Sequence, residues 1–238
     1  MPAKEALPLL LTGAVIAVHW VAFYGSVKYG NVSIAVVCIS GCGFFTAFLE
    51  PLLYKKQIVL TEVLLGAMSI AGIWIIFDFH PQYKTGILFG LVSAIGGSLF
   101  LILNKRLLKK HPSDILTLYE MSGGLMLLTG IIPFYLQLFP AAYYIPSFAD
   151  LVWLLILALI CTVYGFQLQL HALKKISAFT ANLTYNLEPI YGIALAFIFF
   201  KENQHFTFYF SLGVGLILLS VLFQMANEWY RNSQGKMR

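Results

Sequence analysis

The chain has 238 residues, of which 60% are hydrophobic and 11% charged, against about 25% charged in an ordinary soluble domain. A soluble fold of this size has no interior large enough for that apolar surface, so the excess must face lipid. The net charge of +5 is spread in short groups between long apolar runs and forms no single patch, which argues against nucleic acid as a partner.

Crossing the hydrocarbon core takes about 20 apolar residues. The first candidate, Leu7–Val27, follows Lys4 and Glu5 and lacks the cleavage site of a signal peptide. Val32–Leu53, Val63–Phe79, Gly86–Leu103, Ile115–Leu138, Leu151–Leu170, Ala178–Phe200 and Phe208–Met225 follow. The third and eighth runs are short. The runs are continuous, not alternating, so they predict helices and not barrel strands. Cys38, Cys42 and Cys161 lie inside them and make no disulfide framework. The expected fold is an all-α integral membrane protein with about eight transmembrane helices.

Lysine and arginine set the topology. With eight spans, one side collects Lys4, Lys55, Lys56, Lys105, Arg106, Lys109, Lys110, Lys174, Lys175, Arg231, Lys236 and Arg238, and the other only Lys28, Lys84 and Lys201. Both the N and C termini are therefore expected in the cytoplasm, in a multi-pass protein of the cytoplasmic membrane with residues 228–238 as a tail. Trp74, Phe77, Tyr83, Phe134, Tyr135, Tyr143, Tyr144, Trp153, Phe206 and Tyr209 fall near the predicted outer interface, as an aromatic belt does.

Shifting the first part of the chain forward by 146 residues overlays Lys28 on Lys174, Tyr54 on Phe200 and Lys55 on Lys201. Leu7–Phe79 and Leu151–Met225 then share one pattern of span, basic link, span, polar link, span. The first copy starts inside and the second outside, which makes them inverted-topology repeats, the plan of many secondary carriers. Gly86–Leu103 and Ile115–Leu138 precede the second copy without counterparts in the first. Residues 1–80 read as an incomplete three-helix repeat and residues 84–227 as a five-helix repeat.

Ala172-Leu173-Lys174-Lys175-Ile176-Ser177-Ala178, Glu188-Pro189, Lys201-Glu202 and Gly213 resemble the second repeat of the EamA-type domain of the drug/metabolite transporter superfamily. Asn31-Val32-Ser33-Ile34-Ala35 and Phe44-Phe45-Thr46-Ala47 resemble the end of its first repeat. The resemblance implies a permease, usually of ten helices and often an exporter of metabolites or amino acids. Against that pattern the first two helices are missing. A fragment, a miscalled start at Met1 and a short form all fit, and a second subunit, as a homodimer, could complete the cavity.

Ionisable groups in the hydrocarbon suggest function. Glu188 lies near the middle of its run, before a proline that removes a backbone donor. Tyr185, Glu188 and Tyr191 recur at helical spacing, with Asn182 on a neighbouring stripe. This face could bind a cationic or zwitterionic solute or a proton; a proline kink beside a satisfied glutamate is the alternative. His19, beside Trp20 and one turn before Phe23, could titrate or simply bond a neighbouring helix. The overlay places His19 on Gly165, so Tyr164 and Gln167 would approach from the second copy. It also places Cys42-Gly43 on Glu188-Pro189, although Cys38, Cys42 and Thr46 also suit plain packing. Glu50 can snorkel or meet Lys55, Glu120 is ambiguous, and Asn104 looks like an interface ending. Gly86-x-x-x-Gly90 and Ser93-x-x-x-Gly97 suit close helix packing. The sequence carries no His-Glu-x-x-His, no Gly-x-Ser-x-Gly and no metal-spaced Cys/His set, and it calls for no cofactor. Three functions remain: a carrier of a small polar metabolite such as an amino acid, a non-transporting remnant or scaffold, and an intramembrane enzyme if His19, Glu120 and Glu188 converge.

Overall fold

The computed structural model describes residues 3–79, 81–138, 146–176, 181, 188–200 and 207–235. Among them the apolar runs fold into eight helices: α1 Ala3–Tyr29, α2 Val32–Tyr54, α3 Leu60–Phe79, α4 Lys84–Leu107, α5 Ser113–Leu138, α6 Phe148–Lys175, α7 Glu188–Phe200 and α8 Phe208–Gly235. Five of these, α1, α2, α4, α5 and α6, are long and apolar enough to cross a membrane, and α3 and α8 contain shorter apolar stretches. The sequence therefore marks the helices well but their ends less well. Helix α3 starts three residues before its predicted boundary, and α8 continues past Met225 into the polar tail.

Two helices are irregular where the sequence predicts regular ones. Helix α2 opens on Asn31, whose side chain accepts the Ile34 N–H at 2.8 Å, a standard N-cap. It is interrupted at Ser40 and Gly41. There the Ser40 N–H donates to the Val37 carbonyl at 3.1 Å and the Gly41 N–H to that of Cys38 at 3.0 Å, three residues back instead of four. Such a tightened turn inside a span is a common hinge. Helix α6 opens on a capping box of Ser147 and Asp150 and winds as π-helix over Leu157–Tyr164, where the Thr162 hydroxyl donates to the Leu157 carbonyl at 2.9 Å.

The chain divides into two compact units, each built from separate stretches. The first comprises Met1–Ala17 and Leu103–Ser177. Here α1 and α5 meet backbone to backbone: a Cβ on Gly13 would lie 2.0 Å from the Glu120 backbone oxygen, and one on Gly123 2.2 Å from that of Leu10. Gln167 of α6 donates to the Ser113 carbonyl at 3.3 Å and to the Thr117 hydroxyl at 2.8 Å, tying α6 to α5. The Lys105 ammonium caps the end of α6 through the carbonyls of Leu173 and Ile176, where a cation also suits the helix dipole. From residue 148 to 161 every residue of α6 is exposed, and most are large and apolar, as a lipid-facing surface requires.

The second unit comprises Val18–Ile102 and Ala178–Arg238. Its core gathers Ile34, Val37, Cys38, Ile73, Ile76 and Ile87 with Ile193, Phe210, Val214 and Ile217. Helices α3 and α8 cross at reciprocal glycines: a Cβ on Gly72 would lie 2.5 Å from the Gly213 oxygen, and one on Gly213 2.6 Å from the Gly72 oxygen. The Ser69 and Ser220 hydroxyls share a hydrogen bond of 2.6 Å along the same seam. Partner numbers fall in α8 as they rise in α3, so the two helices run antiparallel. Gly86 and Gly90 of α4 let that helix approach the Gly30 backbone and Cys38. Glu50 pairs with Lys56 at 2.5 Å, not with Lys55, which turns into the left-handed region (φ 51°) to end α2.

Gly72→Ala should overpack the α3–α8 crossing and destabilise the purified protein by about 1–3 kcal/mol in reversible detergent unfolding. Gly130→Ala, with open space around the glycine, should be neutral or stabilising by up to about 1 kcal/mol. Equal effects of the two substitutions would contradict the assigned seam.

Candidate functional site

The polar cluster of the second unit is built from four helices. Helix α1 supplies His19, α2 supplies Cys42, α4 supplies the small residues Ser93, Gly97 and Ser98, and α7 supplies Glu188. His19 is half-buried, while Ser93 and Ser98 have no exposed surface. The His19 Nδ1 lies 2.7 Å from the Ser93 carbonyl and 3.0 Å from its hydroxyl. A carbonyl can only accept, so Nδ1 carries the proton and the neutral ring presents Nε2 as an acceptor. The ring rests on Gly97, where an added Cβ would be 3.2 Å from both Cε1 and Nδ1 and 3.6 Å from the Cys42 sulfur. The Ser93-x-x-x-Gly97 stripe thus makes room for an imidazole and fixes its tautomer, besides letting helices approach.

Cys42 follows directly on the break in α2 and is buried. Its thiol donates to the Ala94 carbonyl at 3.3 Å. Its own carbonyl accepts from the Thr46 hydroxyl at 2.8 Å and the Ser98 hydroxyl at 2.9 Å. Phe23 and Phe45 pack on the small apolar group of Ile39, Cys42 and Ala94.

The Glu188 carboxyl lies within electrostatic range of the Cys42 thiol. Glu188 is exposed and opens the described part of α7. No cation is paired with it among the described residues. The cluster is therefore rich in acceptors and poor in charged donors.

The remaining predicted residues divide three ways. Trp20 and Phe23 are half-buried on α1, and Tyr191 is exposed on α7. Tyr164 and Gln167 belong to the first unit, where Tyr164 is exposed at the end of the π-helical stretch and Gln167 is held by α5. Asn182 and Tyr185 lie outside the described residues. Sequence reasoning passed over Ser93 and Ser98 as partners. The available signal was His19 itself: a histidine in a span needs an acceptor, and a neighbouring stripe of small residues is where a ring fits.

An all-helical fold with apolar spans, holding an acceptor-rich polar cluster in its second unit, is that of a polytopic membrane protein. The profile of the EamA-like transporter family matches residues 84–225, from α4 into α8. The chain belongs to that family, within the drug/metabolite transporter superfamily, and is an EamA-family transporter. An uncharacterized transporter of Archaeoglobus fulgidus is 23% identical over 201 residues, which cover 84% of this chain and 70% of the relative. A solved crystal structure shares the fold with a TM-score of 0.63 at 15% identity, over 96% of this chain and 79% of the other.

Imidazole 15N spectra of the protein in detergent, assigned to His19 with a His19→Gln control, should show the neutral ring protonated at Nδ1 and bare at Nε2. A bare Nδ1 would place two acceptors face to face and refute the Ser93 bond. Ser93→Ala should keep the tautomer, because the backbone carbonyl remains.

Proposed function

We propose that this chain is an alternating-access carrier of a small amine-bearing polar metabolite such as an amino acid. Its solute site is His19, Cys42 and Glu188, and flux is coupled to protons. Trp20, Phe23 and Tyr191 wall the site. The membrane is the cytoplasmic one, with both termini inside, and the two copies related by the 146-residue shift form inverted repeats.

The observation that supports the proposal is the packing of α2 on α7 and of α3 on α8, with Cys42 and Glu188, two positions that the shift makes equivalent, within electrostatic reach of each other. An in-plane twofold brings equivalent residues together wherever its axis passes between them. The neighbouring contacts agree. Helices α2 and α7 pack on each other, as do α3 and α8, and each pair joins equivalent spans of the two copies. Val36 contacts Gly192 while Cys42 approaches Glu188, so α2 and α7 are antiparallel too. Gly72 touches Ile217, one residue from the position the shift assigns to it. The hinge at Ser40 and Gly41 falls beside the same axis, where a rocking motion would need it.

The chemistry of the site selects the solute. A carboxyl and a bare Nε2 accept hydrogen bonds, and no ammonium or guanidinium faces them among the described residues. A cationic or zwitterionic amine complements that set, and a simple anion is repelled.

In proteoliposomes screened with a panel of labelled metabolites, Glu188→Gln should reduce proton-coupled flux of the active compound to that of empty vesicles. Retained coupling would remove Glu188 from the mechanism. An active panel confined to carboxylates without amines would contradict the solute class.

A further inference from the structure

Outside the solute site, one acidic side chain is completely enclosed. Glu120 of α5 has no exposed surface, and neither carboxyl oxygen has a hydrogen-bond partner among the described residues. The polar side chain facing it is Asn104 at the end of α4, also fully buried. Sequence reasoning placed Asn104 at an interface and left Glu120 undecided, because burial across a helix seam leaves no trace in the order of residues.

Among the described residues no cation forms a salt bridge with Glu120. Helix α1 contributes Leu10 and Gly13, whose backbones touch α5. Helix α6 packs on α5 as well, but its Gln167 is held by Ser113 and Thr117. The Lys105 ammonium on α4 is spent on the carbonyls of Leu173 and Ile176.

A carboxyl in that position needs a proton or a cation. Hard cations take about six or more oxygens, and the enclosure brings one carboxyl and one amide. The proton is the ligand that fits. We propose that Glu120 is a proton-binding site of the first unit, distinct from Glu188, that exchanges its proton only when the glycine seam between α1 and α5 parts. Backbone lies against backbone in that seam, so no side chain can swing aside to admit water. Helix α1 must move as a body.

Infrared spectroscopy of the full chain in liposomes tests this without a transport assay, so its outcome is independent of the carrier proposal. A protonated-carboxyl band should grow as pH falls and fade as it rises, vanish in Glu120→Gln and survive in Glu188→Gln. On transfer to heavy water that band should shift slowly. Gly124→Ala, whose new methyl would press the Gly13 carbonyl at 3.1 Å, should speed the shift by about tenfold or more, and Gly130→Ala should leave it unchanged. The Gly124→Ala comparison stands even if Glu120→Gln fails to fold. A band that ignores pH, a Glu120→Gln protein that keeps every band, or equal exchange in the two glycine variants would overturn the proposal.

Discussion

Helices in lipid gain little from burying apolar surface against each other, because acyl chains are as apolar as leucine. Association then depends on close approach and on satisfying every polar group. In this protein both needs are met at glycine seams. Gly72 and Gly213 bring α3 and α8 into backbone contact, with the Ser69–Ser220 bond alongside. Gly13 and Gly123 do the same for α1 and α5. Larger side chains at these positions would separate the helices and, at the α3–α8 crossing, expose to lipid the serine hydroxyls that now pair across it.

The polar cluster of the second unit follows from the same constraint. Gly97 leaves a hollow against α4 that an imidazole fills, and Ser93 fixes which nitrogen keeps its proton. Hydroxyls of Thr46 and Ser98 add to the bonding of the Cys42 carbonyl just past the broken turn of α2. The cluster is thus polar, and among the described residues Glu188 has no salt-bridged cation.

Composition and basic-residue spacing were enough to find the helices, since a span is a property of contiguous sequence. Glu188 and His19 stood out for the same reason: a polar side chain in an apolar run is visible without a structure. The break at Ser40 and Gly41 was not legible, because neither residue forbids a regular helix and both keep right-handed backbone angles. Nor was the partner of Glu50. Lys55 was the nearer choice in sequence, but its left-handed backbone turns the chain so that Lys56 reaches the carboxylate. Ser93 and Asn104 acquire their roles from residues 74 and 16 positions away, a distance that pattern alone does not bridge.

The meeting of Cys42 with Glu188 is open to direct measurement. A Glu188→Cys protein retaining Cys42, with Cys38 and Cys161 replaced by alanine, can be treated in membranes with a short bis-thiol reagent and cleaved between the two sites. The account predicts fragments held together by an intramolecular crosslink, weakened by a solute that occupies the site. Two thiols that each react singly but never join, in protein that remains folded, would contradict it.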